Sequence, residues 1–265
     1  MPNNRQTVRR FFPRMDACIC VPQNVEPALR HFALSDAPQS LRGIKLAFAT
    51  DFHLRGHMRP ERWMEQIASE SPDMLLLGGD LADQRTWAER MIALLGEIRP
   101  PLGTYAVPGN NDFEAFGGIC SLRAACERAN IRLLVNESVR VNNFTIAGVD
   151  EYKHGIPDAG GLFHPGDGYR ILLSHFPILP ALPHTLMPQL VLCGHTHGGQ
   201  FNLLGLTPYA IGFERFLSGK ETAYHHVSGW MAEGSTRILV SKGIGMSRIP
   251  LRIGVRPEIH LIEFT

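Results

Sequence analysis

Short apolar runs that stop abruptly at polar residues set the rhythm of the first half of the chain. Gly43–Thr50 ends at Asp51-Phe52-His53, Met74–Leu77 at Gly78-Gly79-Asp80, and Tyr105–Val107 at Pro108-Gly109-Asn110. Each run has the length of a buried strand. Between them lie helical stretches. One opens at Pro60 and runs to about Ser71, with Trp63, Met64 and Ile67 on one face. Another runs from about Thr86 to Ile98 and is stopped by Pro100-Pro101; a third is expected over Gly117–Asn130. Strand, polar cluster and helix in repetition predict an α/β fold whose early strands are mostly parallel. Open sheets of that kind place their sites at the carboxyl ends of the strands, where these polar clusters fall.

Beyond residue 130 the texture changes to short strands joined by Gly- and Pro-rich loops. They are read at Ile131–Val135, Val139–Val141, Phe144–Val149, Tyr169–Ser174, Leu190–Cys193, Arg237–Val240 and Glu258–Glu263. A second sheet stacked on the first would bury them, giving a four-layer helix–sheet–sheet–helix sandwich. With no linker or repeat in view, residues 43–265 read as one domain. Residues 1–42 read as an N-terminal arm that adds an edge strand around Ala28–Phe32.

Composition narrows the class. The 265 residues are 44% hydrophobic and 19% charged with a net charge of +1, which suits a globular protein and gives no reason to expect a nucleic-acid partner. No apolar run reaches the roughly 18 residues of a membrane-spanning helix. Arg9-Arg10-Phe11-Phe12 resembles the start of a twin-arginine export signal, but Arg14, Asp16, Pro22 and Glu26 break the apolar stretch that such a signal needs next. Five unpatterned cysteines suit a reduced, cytoplasmic setting. Arg5, Arg9, Arg10 and Arg14 read first as a solvated tail. Peripheral contact with an anionic inner-membrane surface is the alternative.

The chemistry lies in five fragments that occur in order. They are Asp51-Phe-His53, Gly79-Asp80-Leu-Ala-Asp83, Gly109-Asn110-Asn111-Asp112, Ser174-His175 and Gly194-His195-Thr-His197. Each comes directly after a short apolar strand, so their joint occurrence says far more than any one alone. Two aspartates and four histidines gathered at strand ends would be costly to bury without a metal partner. Read as an extended segment, His195-Thr-His197 sends both imidazoles to one side.

This series resembles the calcineurin-like metallophosphoesterase family from Gly43 to Thr265. The segments Gly194–Gln200, Gly243–Pro250 and Arg256–Ile259 resemble one bacterial branch of it. That branch holds UDP-2,3-diacylglucosamine pyrophosphohydrolases of lipid A synthesis and related cell-envelope phosphoesterases. The resemblance implies two divalent metal ions; with no cysteine among the ligands, manganese, iron or zinc all fit and softer copper does not, and manganese is favoured. It implies that Asp80 bridges them, with Asp51, His53 and His197 completing one set of ligands and Asn110, His175 and His195 the other. It further implies hydrolysis of a phosphodiester or pyrophosphate by a hydroxide held between the ions, on a phosphate-containing small molecule or a lipid-linked substrate. A metal-binding scaffold without catalysis is the alternative.

One departure stands out. The family has Gly-Asn-His before the acid, and here Asn111 replaces the histidine. An amide donates a hydrogen bond but releases no proton at neutral pH. Asn111, with Asp83 and Asp112 beside the motifs, completes the candidate catalytic group. Asp83 is expected to fix a histidine or a loop. Arg55, Arg59 and Arg62, and Lys242, Arg248, Arg252 and Arg256, are candidate grips for a distal phosphate or else solvated faces. His57, His154, His164, His225 and His226 read as loop residues. Ile178–Leu186 and Phe201–Leu217 read equally as a wall for an acyl chain or as core. The oligomeric state is left open.

Overall fold

The computed structural model describes residues 15–204, 206–208 and 227–265. Arg5, Arg9, Arg10, Arg14, His225, His226 and most of the apolar stretch after residue 208 lie outside the described residues.

Two six-stranded sheets form the body. The first runs in the order Ala28–Leu34, Glu258–Phe264, Lys45–Ala49, Met74–Leu77, Thr104–Ala106, Ile131–Leu133. Its last four strands are mutually parallel, and only Glu258–Phe264 against Lys45–Ala49 is antiparallel. The second runs Gly229–Glu233, Thr236–Val240, Leu190–Cys193, Tyr169–Ser174, Phe144–Gly148, Glu137–Val141, with parallel pairing in the middle and antiparallel pairs at both edges. A two-stranded ribbon joins Ile19–Cys20 to Arg252–Ile253.

Period-two alternation explains the stacking. Leu46, Phe48, Met74 and Leu76 face the second sheet and meet Ile171, Leu173, Leu190 and Leu192 in one core. Their neighbours Ala47, Ala49, Leu75 and Leu77 turn outward to a second core. There they pack against Trp63, Met64 and Ile67 of helix Pro60–Ser69, Met91 and Leu95 of helix Arg85–Glu97, and Leu122 and Cys126 of helix Ile119–Arg128. On the far face of the second sheet, Leu172, Val191 and Cys193 are covered by Ala159, Leu162, Phe163, Leu179 and Leu186. Among the described residues that outer layer consists of loop segments and the 3-10 turn His184–Leu186.

Two local expectations change. Ile131–Leu133 and Glu258–Phe264 join the first sheet, because the former continues the strand–helix–strand rhythm and the latter inserts beside Lys45–Ala49. The helix read over Gly117–Asn130 is present as Ile119–Arg128, and an unforeseen helix, Asn110–Phe116, precedes it. Gly117 is left-handed (φ 66°, ψ 26°) and closes that preceding helix, a conformation that favours glycine. The strand Ala28–Leu34 pairs over seven residues with Glu258–Phe264 and forms the sheet's edge.

The parallel strands of both sheets end on the same side of the molecule. The segments leaving Ala49, Leu77, Ala106, Ser174 and Cys193 converge there.

Candidate metal centre

Asp51, His53, Asp80, His175 and His197 are each 5% exposed or less, and Asn110 is 7% exposed. The donor atoms of the five, together with His195, form a continuous ladder. Asp51 Oδ1 lies 3.4 Å from His197 Nε2, which lies 3.1 Å from His53 Nε2. His53 Nε2 lies 3.4 Å from Asp80 Oδ2, which lies 3.3 Å from His175 Nε2, itself 3.3 Å from His195 Nδ1. Asp80 Oδ2 thus stands between two histidine pairs. Asp51, His53 and His197 offer ligand atoms within 4.8 Å of one another, and so do Asp51, Asp80 and His175.

This spacing suits divalent cations. Donors about 2.1 Å from one ion sit about 3.0 Å apart at adjacent octahedral corners and about 3.4 Å apart at tetrahedral ones. The facing ring nitrogens span that interval. Asn110 supplies an independent sign. Its Oδ1 is buried with no hydrogen-bond partner, and a buried carbonyl oxygen without one is uncommon. A hard or borderline cation would satisfy it. The site therefore fits two divalent ions.

Groups behind the donors hold their orientation. His175 Nδ1 lies 2.8 Å from the Gly78 carbonyl, and His53 Nδ1 lies 2.6 Å from Asp83 Oδ1. Such contacts fix the tautomer that leaves Nε2 free for a metal. Asp83 is held in turn by Arg55 Nη2 at 2.6 Å, which also donates to the Met246 carbonyl. Arg55 therefore braces a histidine through Asp83. Arg252 is no phosphate grip: fully buried, it donates to the Gly245 carbonyl at 2.6 Å and lies 3.0 Å from His197 Nδ1.

Asp112 is held by backbone donors. Its oxygens accept the backbone N–H groups of Asp80 (2.7 Å), Leu81 (2.7 Å) and Gly109 (3.0 Å). It is a positioning residue that ties the Gly-Asp turn to the Gly-Asn turn. The two turns touch: a Cβ on Gly79 would overlap the Gly109 backbone, so this approach requires glycine. Asn111 donates from its backbone N–H to Asp80 Oδ1 at 2.9 Å and from its side-chain amide to Asp80 Oδ2 at 2.6 Å. Its first contact is thus the Asp80 carboxylate, with one further amide hydrogen left to offer.

His195-Thr-His197 is not extended. His195 has φ 69° and His197 φ 52°, with a right-handed Thr196 between them. The turn sends His195 towards His175 and His197 towards His53. Asp51, His53 and Asp80 also have positive φ. A left-handed side-chain-bearing residue costs roughly 1 kcal/mol or more, and such strain gathers at functional sites. Sequence reading also missed Phe176, whose ring lies 3.9 Å from that of His195, and Thr50, which donates to Asp51 at 2.8 Å.

Electrostatics mark the centre as a place for positive charge. Burial disfavours charged rings, yet Asp80 and Asp83 lift His53 to about 10, and Asp80 with Asp51 lifts His175 to about 9. Burial also opposes ionisation of Asp80, but His175 and His53 hold it well below the usual carboxylate range. Burial and the charged His175 push His195 down to about 3, and burial drives His197 down. Without metal, two imidazolium rings take the place of the cations. Their stabilising effect is complete below the ordinary histidine value of 6.5 and disappears as pH rises through 9 to 10. Metal must displace those protons. The apparent affinity for each Mn2+ ion should therefore rise by up to about one decade per pH unit between about pH 7 and 8.5, and the overall constant for loading both by up to about two. Calorimetry across that range checks this, and a flat profile would show the rings neutral beforehand.

Comparison with known proteins points the same way. Residues 44–199 match the family described as calcineurin-like phosphoesterase. An uncharacterized metallophosphoesterase of Aquifex aeolicus is 32% identical over 235 residues, covering 83% of this chain and 84% of its own. The uncharacterized metallophosphoesterase YkuE of Bacillus subtilis is 30% identical over 254 residues, covering 90% and 85%. A transmembrane protein with metallophosphoesterase domain from Bos taurus is 27% identical over 252 residues, and the match covers 84% of this chain but only 53% of the bovine one. Among the described residues no helix is long and apolar enough to cross a membrane.

Proposed function

This chain belongs to the calcineurin-like phosphoesterase family and is a metal-dependent phosphoesterase, and from that premise we propose that it cleaves phosphodiester or pyrophosphate bonds whose leaving group departs as a stable anion. Asn111 carries the reading. Where the resemblance leads one to expect a histidine, a neutral amide sits on Asp80. It can steady an anionic oxygen but cannot protonate a departing alkoxide. A nucleotide or sugar phosphate needs no such proton.

In this reading Asp51, His53, Asp80 and His197 hold one divalent ion, and Asp80, Asn110, His175 and His195 hold the other. When bound, the ions supply Lewis-acid polarisation of phosphorus and an activated water. The chain's own residues set the stage. Asp80 keeps the two sets of donors in register, Asp83 and Arg55 fix His53, and Asp112 locks the turns that carry Asp80 and Asn110. Nitrogen and oxygen donors without a thiolate suit manganese, iron and zinc, and of these manganese is the ion we favour. A lipid-linked nucleotide such as UDP-2,3-diacylglucosamine is the substrate we favour, on the resemblance of the segments after Gly194.

The test is turnover of the manganese-loaded enzyme on aryl and alkyl phosphodiesters and a pyrophosphate. Rates should fall steeply as the leaving group becomes less acidic. A flat dependence would defeat the proposal. The Asn111→His variant should regain activity on poor leaving groups more than on good ones, provided that it still binds two ions.

A further inference from the structure

Seven large apolar residues are exposed among the described residues, and six of them gather at one end: Met15, Ile19, Leu203, Leu204, Leu206 and Ile249. Their grouping is visible in the backbone. Leu203 and Leu206 hydrogen-bond to each other in both directions, closing a tight turn. The Leu204 N–H lies 3.5 Å from Met15 Sδ. Ile253 bridges to Phe201 on one side and pairs with Ile19 on the other.

The turn is built against local preference. Leu204 is 90% exposed and left-handed, with φ 54°. Tight turns place Gly, Asn or Asp at such positions. A leucine there is unfavourable in backbone strain and in hydration at once. A local rule broken twice at one exposed residue points to function, and a contiguous apolar patch on a monomer marks an interaction site.

The patch is also mounted on the metal centre. Gln200, three residues after His197, is buried and donates to the Ile249 and Leu251 carbonyls at 2.7 and 3.0 Å while accepting from the Ser247 N–H. Thr207 packs so closely on Gly199 that a Cβ there would lie 2.8 Å from it. Both loops that carry the leucines and Ile249 thus hang from the turn that carries His195 and His197.

We propose that this turn, with Ile249, is an interfacial anchor that seats the protein on an anionic lipid bilayer with the metal centre close to the headgroups. The charge around the patch selects an anionic bilayer as its partner. Exposed Arg248 and Arg256 flank the patch, while Asp16, the acid beside Met15, is neutralised by Lys242 at 2.9 Å. Apolar side chains entering the acyl boundary beneath a basic rim are how a monotopic protein binds an anionic surface. The inference is read from the surface and does not depend on the leaving-group reading above.

Co-sedimentation of the full chain with phosphatidylcholine vesicles, with and without phosphatidylglycerol, tests it. Wild-type protein should pellet with the anionic vesicles, and Leu203→Asn/Leu204→Asn should lower the partition by about tenfold or more. That variant should melt no lower than wild type, because asparagine tolerates the left-handed position. It should also keep wild-type turnover of a soluble aryl phosphodiester. Arg248→Glu should abolish the preference for phosphatidylglycerol. Wild-type protein that stays in the supernatant, or a double variant that pellets equally, would overturn the proposal. So would ultracentrifugation without lipid showing a wild-type dimer that the double variant dissolves, since the patch would then join two copies of the chain.

Discussion

Replacing Asp80 with alanine is expected to leave a folded protein that retains neither ion at ordinary concentrations and turns over more than about a thousandfold more slowly. Asp80 Oδ2 lies near both His53 and His175, at 3.4 and 3.3 Å, so its loss strips both sets of donors together. Removing it also strands the two Asn111 donors and leaves two histidines without the carboxylate that sustains their charge. His53 and His175 should then titrate lower, and the alkaline loss of stability in the metal-free protein should shrink. Metal analysis after gel filtration, then turnover with added Mn2+, is the measurement. An alanine variant that keeps two ions, or near-normal rates, would remove Asp80 from its bridging place. Asp80→Asn separates charge from shape: it should fold like the parent and still fail to hold metal.

Replacing Asp112 with alanine is expected to have the largest effect on stability. Three buried backbone donors, from Asp80, Leu81 and Gly109, lose their acceptor together. Each unsatisfied donor costs about 1–3 kcal/mol, so a loss of about 3 kcal/mol or more is expected. Metal binding should fall as well, because Asp80 and Asn110 sit on the two turns this carboxylate joins. Asp112→Asn keeps one acceptor oxygen and should fall between the two. Urea unfolding of the metal-free proteins reads the difference directly. An alanine variant as stable as the parent would mean that water or a shifted backbone replaces all three bonds.

Much of the frame was legible because burial repeats along it. Lys45–Ala49 and Met74–Leu77 read as strands from their apolar runs, and the polar residues after them read as a site because parallel strands end where loops converge. Other features depend on partners far away in sequence. Glu258–Phe264 carries no sign that it inserts beside Lys45–Ala49. Asn110–Phe116 is hard to foresee as a helix because Gly-Asn-Asn-Asp reads as a turn. Arg252, set in a segment of mixed polarity, reads as a surface cation until its carbonyl partners are seen. The left-handed backbone at His195 and His197 overturned the geometry inferred from their spacing, though both rings still face other histidines.

The order of strands in the first sheet has a consequence for how the molecule is made. Glu258–Phe264 lies between Ala28–Leu34 and Lys45–Ala49, hydrogen-bonded to both. A nascent chain therefore emerges with two early strands held apart until residue 264 has cleared the ribosome. His53 and His197, separated by 144 positions, settle against each other only as that frame closes. Such distant pairings form slowly. Cation capture should consequently be among the last events of maturation, and a chain cut short of residue 258 should acquire no ions at all.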